Sequence, residues 1–460
     1  LSNYLGTTAQ VYYAAGVPSL GEMAEATNFV NAAAGGGPGL NAEYFNGNDL
    51  QGTPAVKRRE QHVNFRGGTN ADYPSGTGSS RWSGYYEPQE SGSHDIFVAS
   101  TGEDGGFYRL YLDDKLVFDN WTNSSAVVGQ ARVQLAAGPH KVVLEQHGRS
   151  GWLGSRMQFG IIRHGKAVTE EAKKLAAKAD VVIVAAGFDP ETESEGADRN
   201  FSLPPAQDEL IEAMAAANKN TIVVVTSGGN VDMNTWIDSV PALVESWYPG
   251  QEGGTALAEI LFGDVNPSGR LPVTFERRWE DNPVSNSYYP APGTNKVEYK
   301  EGVFVGYRGY EKNGTKPRFP FGFGLSYTSF SYGKLSLMQG VTKGGSPEFW
   351  WCEVSFDVTN TGKYAGAEVA QVYVSDTHSK VPRPAKELRG FAKIELKPGE
   401  TKRVKILLNQ RALSYYDVAA KAWRAEPGDF EVLVGPSSAE IKLRGKLTLS
   451  ENTASVAVPK

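Results

Sequence analysis

One short stretch of the chain concentrates groups that can transfer protons. The segment "GFDPETESEGADRNFSLPPAQDEL" occupies residues 187–210. Within it, residues 191–199 carry Glu191, Glu193, Glu195, Asp198 and Arg199. Carboxyl groups that lie close together raise one another's pKa, and burial raises it further, so that one of them can stay protonated near neutral pH and act as a general acid. We call residues 188–199 the acidic loop. The alternative is a solvated loop with an ordinary surface ion pair.

The elements around the acidic loop predict where it lies. The apolar run "VVIVAAG" precedes it, and "QDELIEAMAAAN", "TIVVVTSGG" and "ALVESWYPG" follow it. Strands that are apolar on both faces and alternate with helices indicate a parallel sheet covered by helices. The acidic loop then lies at the carboxyl end of a strand, where open α/β sheets bind ligands. Arg199 is a candidate either to hold Asp198 in place or to contact a hydroxyl-rich ligand.

The residue pattern of the rest of the chain predicts several domains, some of them α/β and some all-β. Apolar and polar residues alternate in several segments of the chain. Within residues 40–162 these segments include "GSHDIFVAS", "FYRLYLDDKLVFDNW" and "HKVVLEQHG", and within 350–449 they include "EVSFDVTN" and "FEVLVG". Both patterns are typical of β-sandwiches. We therefore predict an α/β sandwich domain with a parallel-rich sheet, interrupted by an inserted β-sandwich and followed by a second β-sandwich of about immunoglobulin-like size. The predicted boundaries are 1–36 and 164–332 for the α/β domain, 37–163 for the insertion and 346–455 for the last domain. A short strand is also predicted at "AQVYYAAG", residues 9–16.

Composition excludes several classes of partner. The 460 residues carry a net charge of −6, which argues against nucleic acid or an anionic membrane. The single cysteine excludes an internal disulfide framework. The six histidines show no metal-ligand spacing, and we predict neither a metal nor a cofactor.

Two weaker signals have ordinary explanations. "STGEDGG" with "YLDD" offers oxygen ligands for calcium, but turn formation explains the same residues. "SGGNVDMNTW" has a Gly-rich turn after a strand, but it lacks both GxGxxG and a P-loop lysine, so nucleotide binding is not predicted.

Longer motifs resemble a known family. Three segments closely resemble the C-terminal half of glycoside hydrolase family 3 enzymes, chiefly β-glucosidases. They are the segment from "AAGFDPETESEGADRNFSLPP" to "TSGG", then "ESWYPGQEGGTALAEILFGDVNPSGRLPVTF", and then "FPFGFGLSYTSF". "RPAKELRGFAKIELKPGE" and "PGDFEVLVGPSS" resemble that family's fibronectin type III-like domain, and "GLNAEYFNG" with "RWSGYYEPQESGSHDIFVAS" is similar to the protective-antigen-type sandwich that some members insert. Phe323 occupies the variable position of "FGFGLSYT", a departure that we expect to be structural.

The resemblance implies a retaining exo-acting β-glycosidase in which a (β/α)8 barrel supplies an Asp nucleophile and the α/β sandwich supplies a Glu acid/base. In the family pattern the acid/base is the Glu before the Gly, which here is Glu195, with Glu193 as the runner-up. Retaining hydrolysis needs two carboxyl groups roughly 5–5.5 Å apart. These residues contain no barrel with its Asp-Trp nucleophile motif, so we expect the chain to be the C-terminal portion of a larger enzyme, or the partner of a separate barrel chain, and to be inactive in isolation.

The resemblance also implies an oligosaccharide or β-glucoside as substrate, with terminal β-D-glucosyl residues favoured over xylosyl or other sugars. The inserted sandwich is thought to overhang the pocket in members that carry it, so exposed aromatic residues there are candidates for stacking on a sugar. The candidates are Trp82, Tyr85, Tyr86 and Trp152, and the alternative that we favour for each is a place in the hydrophobic core. The rival class is a non-catalytic carbohydrate-binding or scaffolding protein. A periplasmic or secreted location is favoured, with a cytoplasmic one as the alternative.

Overall fold

The chain folds into two compact units, Leu1–Gly253 (unit 1) and Gly254–Lys460 (unit 2). The structure is a computed structural model. It describes residues 1–33, 35–66, 73–101, 107–121, 128–148, 156–190, 192–193, 195, 198–291, 294–342 and 349–450. Across those residues, no helix combines the length and the apolar character that a membrane span needs.

Unit 1 begins with two short helices and a β-sandwich. The helices are α1 (Ser2–Leu5) and α2 (Leu20–Ala26). The strands are β1 (Phe29–Val30), β2 (Leu40–Phe45), β3 (Val56–Glu60), β4 (Val63–Arg66), β5 (Ser79–Tyr86), β6 (Gly92–Thr101), β7 (Phe107–Leu112), β8 (Lys115–Asp119), β9 (Val128–Leu135), β10 (His140–His147) and β11 (Arg156–Arg163). One antiparallel sheet has the order β3-β2-β5-β10-β7-β8, with β1 paired to β5, and the other has the order β4-β11-β6-β9.

The sandwich core explains why these segments form strands. Alternate residues of β5 and β7 are buried, as expected when one face of each sheet packs on the other. Aromatic side chains such as Tyr44, Trp82 and Tyr108 fill the space between the sheets with aliphatic residues such as Val142 and Leu144. The inserted β-sandwich that the alternation predicts is therefore present.

A parallel sheet follows the sandwich in the chain. Its elements are α3 (Glu170–Lys178), β12 (Val182–Gly187), α4 (Gln207–Ala217), β13 (Thr221–Thr226) and β14 (Ala242–Glu245). The strands pair in parallel in the order β12-β13-β14, with Gly187 opposite Thr226 and Val225 opposite Glu245. This confirms the α/β class predicted from the alternation of apolar strands with helices.

Unit 2 contains the second β-sandwich. Its elements are α5 (Gly253–Phe262, which begins at the boundary), α6 (Tyr307–Asn313), β15 (Phe330–Thr342), β16 (Phe349–Asn360), β17 (Gly366–Asp376), β18 (Glu387–Leu396), β19 (Thr401–Asn409), β20 (Tyr415–Asp417), β21 (Ala422–Arg424), β22 (Gly428–Gly435) and β23 (Leu443–Leu449). The sheets β15-β16-β19 and β18-β17-β22-β23 enclose a core that includes Phe356, Val372 and Phe430. Short 3-10 helices lie at Trp279–Asp281 and Gln410–Leu413 in unit 2 and at Ile237–Ser239 in unit 1.

A buried ion pair joins the segment before this sandwich to strand β17. Arg270 Nη2 lies 2.7 Å from Glu368 Oε2, and these side chains are only 8% and 3% exposed. Tyr332 on β15 donates its hydroxyl to the other carboxylate oxygen at 2.7 Å. Each oxygen of Glu368 thus has a donor, which a carboxylate needs when it is removed from water.

Strand pairing differs from the sequence-based expectations in two places. The strand predicted at residues 9–16 is wrong, because residues 10–16 are irregular and Tyr13 is 86% exposed. Pairing also extends beyond the predicted domain boundaries, since β1 pairs with β5 and β15 pairs with β16. A short apolar run forms a strand only where a neighbouring strand supplies hydrogen bonds, and periodicity does not reveal that neighbour.

Candidate functional site

The acidic loop begins at the carboxyl end of the parallel sheet. Strands β12, β13 and β14 run in the same direction, so the residues that follow them emerge at one edge of the sheet. These segments are the acidic loop, the Gly-rich turn "SGG" (Ser227–Gly229) and the segment "SWYPG" (Ser246–Gly250). The edge matches the place where open α/β sheets bind ligands.

Gly187 is the residue at which the chain leaves β12. Its φ of +138° lies in a region that side chains rarely adopt, and a Cβ there would lie 2.0 Å from the carbonyl oxygen of Thr226. The side-chain amide of Gln207, the first residue of α4, accepts from the Gly187 N–H at 2.7 Å and donates to its carbonyl at 2.9 Å. Gln207 therefore ties the start of the acidic loop to the helix that follows it.

We expect Gly187→Ala to lower the free energy of unfolding of unit 1 by about 3 kcal/mol, since it combines backbone strain with a steric clash. The matched control is Gly165→Ala, whose φ is +79° but whose Cβ would meet nothing within 4 Å. That variant should lose only about 1 kcal/mol from the backbone term. Chemical denaturation of both variants measures the difference, and equal losses would show that the approach to Thr226 is not limiting.

A tight turn follows and directs Glu193 inward. The hydroxyl of Thr192 donates to Asp189 Oδ1 at 2.9 Å and accepts from the Asp189 N–H at 3.0 Å. The Glu193 N–H donates to the Asp189 carbonyl at 2.9 Å. Thr192 is buried, so this turn is a packed element of the sheet edge.

Glu193 is the residue at which the three segments meet. Its Oε2 accepts from the Tyr248 hydroxyl at 2.6 Å and from the Gly228 N–H at 3.2 Å, and it forms an ion pair with Arg199 Nε at 3.2 Å. Gly228 follows β13 and Tyr248 follows β14. A Cβ on Gly228 would lie 2.4 Å from Glu193 Oε1, so a larger residue there would require the Glu193 carboxylate to shift. Burial and the adjacent Glu193 raise the pKa of Tyr248, which keeps its hydroxyl a donor.

Arg199 is held on several sides. Its Nη1 donates to the Asn200 carbonyl at 2.9 Å, and its Nη2 donates to the Asn230 carbonyl at 2.8 Å. Its guanidinium carbon lies 4.5 Å above the centre of the Phe188 ring, and its side chain is 13% exposed. Arg199 forms an ion pair with Glu193, a partner that the sequence analysis did not consider for it. Arg199 thus orients Glu193.

Glu195 lies two residues beyond this anchor and is exposed, whereas Asp198 is half-buried. The neighbouring positions 194, 196 and 197, like Glu191, lie outside the described residues. Glu193 and Glu195 therefore occupy different environments. The first carboxylate is held by donors from three segments, and the second is open to solvent at the mouth of the sheet.

A further carboxyl group at this edge, Glu245, was not among the sequence candidates. It ends β14, accepts from the Trp247 N–H at 3.0 Å and lies 3.3 Å from the Ser227 hydroxyl. Burial raises the pKa of Glu245 to about 7, an effect that its hydrogen bonds and Arg199 oppose and that Glu193 reinforces. An acidic residue that ends an otherwise apolar strand, in "ALVE", was the available signal.

The raised pKa of Glu245 predicts a pH-dependent stability. The unfolded carboxyl titrates near 4.5 and the folded one near 7, so between these values the folded state binds a proton that the unfolded state lacks, and stability falls as pH rises. Glu245→Gln keeps the acceptor oxygen and removes the titration. At 1.36 kcal/mol per pH unit, reduced for partial exposure, we expect the variant to be more stable than the parent by about 2 kcal/mol at pH 8. Denaturation midpoints from pH 4 to pH 8 measure this, and parallel pH profiles would contradict it.

The inserted sandwich packs beside the segment that follows the acidic loop. Gln130 on β9 donates its side-chain amide to the Leu203 carbonyl at 3.0 Å, and the Asn200 side chain donates to the Val128 carbonyl. Trp82, however, is fully buried between the two sheets. Its ring therefore lies in the core, the position that the sequence analysis favours over sugar stacking, and is not available at the surface to contact a sugar. Trp152, the other tryptophan candidate, lies outside the described residues.

The described part of the candidate calcium segment is a turn. Asp113 and Asp114 have φ values of +51° and +62° between β7 and β8. Asp113 pairs with His140 and Asp114 pairs with Lys141, at 2.7 and 2.6 Å. Turn formation accounts for these two aspartates, and residues 102–106 lie outside the described residues. The Gly-rich turn after β13 directs the Gly228 N–H at Glu193, which gives it a role unrelated to a nucleotide.

Comparisons with known proteins agree with this architecture. Residues 48–327, more than half of the chain, match the glycosyl hydrolase family 3 C-terminal domain, and residues 368–438 match the fibronectin type III-like domain. A β-glucosidase of Rhizobium radiobacter is 38% identical over 427 residues, which is 88% of this chain and 50% of that protein. Thermostable β-glucosidase B of Acetivibrio thermocellus is 48% identical over 276 residues, 60% of this chain and 36% of that protein.

Solved structures resemble the chain over most of its length. The β-glucosidase from Kluyveromyces marxianus in complex with glucose matches 98% of this chain with a TM-score of 0.62 and 33% identity, and the match covers 55% of that structure. DesR, a β-glucosidase from Streptomyces venezuelae in complex with D-glucose, matches 84% of the chain with a TM-score of 0.60 and 32% identity, over 49% of its own length.

The chain spans about half the length of the first of these relatives. The family model, the order of the domains and the geometry at the sheet edge agree. The chain belongs to glycosyl hydrolase family 3 and carries its C-terminal domain and a fibronectin type III-like domain.

Proposed function

We propose that the chain is the acid/base-carrying portion of a retaining β-glucosidase that removes terminal non-reducing β-D-glucosyl residues from oligosaccharides or glucosides. The observation that carries this proposal is the anchored acidic loop, in which Glu193 is held by Arg199, Gly228 and Tyr248 while Glu195 is exposed two residues later. The similarity to β-glucosidases of other organisms supports glucosides as the substrate class.

In this proposal Glu195 is the general acid that protonates the glycosidic oxygen as the bond to the sugar breaks. The same residue, as a carboxylate, then removes a proton from the water that hydrolyses the glycosyl-enzyme intermediate. An acid that must reach a leaving oxygen and exchange its proton with water needs an accessible carboxyl group. Exposure of Glu195 fits that requirement.

Glu193 has a different role in the proposal. Its Oε2 already accepts hydrogen bonds from a phenol hydroxyl and a backbone N–H and forms an ion pair with a guanidinium, so this oxygen is occupied by contacts within the protein. We assign Glu193 as a positioning residue that anchors the acidic loop to the loops after β13 and β14. The exposed ring of Tyr248 lies at the same edge and is available to contact a sugar.

The nucleophilic Asp is proposed to lie on a (β/α)8 barrel domain, joined to this chain or associated with it. Two carboxyl groups roughly 5–5.5 Å apart are required, one to attack the anomeric carbon and one to protonate the leaving group. General-acid assistance without a nucleophile is insufficient for a retaining reaction, so the 460 residues alone are expected to be inactive.

The proposal is tested with 4-nitrophenyl glycosides. We compare the 460-residue chain with the longest natural product of its gene, or with the chain mixed with its barrel partner, on the β-glucoside, the β-xyloside and the α-glucoside. We expect turnover of the β-glucoside only where a barrel is present. Preference for the β-xyloside would change the substrate assignment, and the absence of turnover from every barrel-containing form would favour a carbohydrate-binding or scaffolding role.

A further inference from the structure

A second cluster of ligating side chains lies where the inserted sandwich meets helix α4. Asp95 belongs to β6, His164 directly follows β11, and Glu209 belongs to α4. One ligand atom from each lies within 4.8 Å of those from the other two. Glu209 is buried at 7% exposure, while Asp95 and His164 are half-buried, so the cluster is reachable from solvent on one side.

One ring nitrogen in this cluster lies close to two carboxylate oxygens at once. His164 Nδ1 lies 2.7 Å from Asp95 Oδ2 and also 2.7 Å from Glu209 Oε1. A ring nitrogen carries at most one hydrogen, so it cannot donate a full hydrogen bond to both carboxylates. Two carboxylates that face each other in a partly buried site repel each other unless a cation or a shared proton lies between them.

The outer atoms of both carboxylates are already satisfied. Asp95 Oδ1 accepts from Arg132 Nε at 2.7 Å, and Glu209 Oε2 accepts from the Gly165 N–H at 2.8 Å. These contacts turn Oδ2 and Oε1 toward Nδ1 of His164. Protein metal sites orient their carboxylate ligands in this way, with the atom that does not bind the ion held by a neighbouring donor.

We propose that Asp95, His164 and Glu209 bind a divalent transition-metal ion of the zinc class. One imidazole nitrogen and two carboxylate oxygens suit Zn²⁺, which binds such atoms at about 2.0–2.2 Å and accepts a water as fourth ligand. An ion at the centre satisfies both inner oxygens and requires the neutral imidazole nitrogen as a ligand. His164 Nδ1 and the two carboxylate oxygens need only move slightly apart from their present 2.7 Å separations to admit an ion at those bond lengths.

The position of the ion implies a structural role. Asp95 and His164 belong to the inserted sandwich or its end, and Glu209 belongs to the helix that follows the acidic loop. A bound ion therefore cross-links the insertion to the α/β part of unit 1. Ions that bind only the folded state stabilise it by mass action, so the ion should raise the melting temperature of unit 1.

Isothermal titration calorimetry on the chelator-treated 460-residue chain tests the proposal, with ZnCl₂ alone as the probe and CaCl₂ as the comparison. We expect one Zn²⁺ per chain, preferred over Ca²⁺, and at 100 times the dissociation constant a rise in melting temperature of about 5 °C or more. His164→Ala should weaken Zn²⁺ binding at least 100-fold, and Asp95→Asn should also weaken it.

His140→Ala is the matched control. His140 pairs with Asp113 through Nδ1 at the same 2.7 Å, on the same sandwich, but in the described residues it is not part of a three-ligand cluster. It should leave Zn²⁺ affinity unchanged. Circular dichroism confirms that each variant is folded. The proposal is overturned if saturable Zn²⁺ binding survives His164→Ala, or if His140→Ala loses as much Zn²⁺ affinity as His164→Ala. It is also overturned if the parent chain shows no saturable binding, because protons alone then bridge the carboxylates.

Discussion

Glu195→Gln is expected to lower kcat/KM for a β-glucoside with a poor leaving group by about 10²–10⁴-fold, measured in the proposed form of the protein that also contains a barrel. Gln has the size of Glu but cannot donate a proton, so the variant loses general-acid assistance to the departing oxygen. A 2,4-dinitrophenyl glucoside, whose leaving group needs little protonation, should be cleaved by the variant with a much smaller loss in the first step. Steady-state kinetics on both substrates measures the difference.

Glu193→Gln is the control that separates the two glutamates. Because Glu193 anchors the acidic loop through Arg199, Gly228 and Tyr248, its replacement should affect both substrates by a similar factor. If Glu193→Gln showed the dependence on the leaving group and Glu195→Gln did not, the roles of the two residues would be exchanged. Full activity of both variants would place the acid elsewhere.

Glu368→Ala is expected to lower the stability of unit 2 by about 3–5 kcal/mol. The substitution leaves the Arg270 guanidinium buried without its partner and removes the acceptor of the Tyr332 hydroxyl. For a domain of this size the loss corresponds to a fall in melting temperature of roughly 10 °C, which differential scanning calorimetry of the whole chain measures.

An exposed ion pair of the same unit provides the comparison. Glu298 and Lys300 lie 3.8 Å apart with side chains 75% and 64% exposed, so Glu298→Ala should shift the melting temperature by about 1 °C or less. The double variant Arg270→Met/Glu368→Leu should recover most of the lost stability, since it removes both buried charges. A similar shift for Glu368→Ala and Glu298→Ala would show that burial does not govern the strength of the first pair.

Local pattern was sufficient to predict the fold class. Apolar strands such as Val182–Gly187 and Thr221–Thr226 carry their signal in a few consecutive residues, because a parallel sheet covered by helices can bury both faces of its strands. In β13 the consecutive residues Val223, Val224 and Val225 are buried, whereas in β12 Val184 and Ala186 are buried and Ala185 is exposed. The alternation within β5 and β7 likewise predicts a half-buried strand. Parallel strands between helices also place the acidic loop at the ligand-binding edge of the sheet.

Burial and pairing partners were not predictable in the same way. The aromatic residues at positions 9–16 resembled a strand but have no partner strand in the described residues, and the ring of Trp82 lies between two sheets rather than on the surface. An aromatic side chain is equally suited to a core and to a sugar-binding surface. Which of these it occupies depends on the sheet that packs against it.

The candidate site also has a part that the sequence predicts and a part that only the folded structure shows. The sequence alone predicts that an acidic loop follows a buried strand, because strand, turn and charge are encoded by neighbouring residues. Its anchoring depends on Glu193, Gly228 and Tyr248, which come together only because three parallel strands end at one edge. The residues Asp95, His164 and Glu209 are far apart in the sequence and form no short motif. Contacts between residues so far apart arise from packing, and packing is a property of the folded chain.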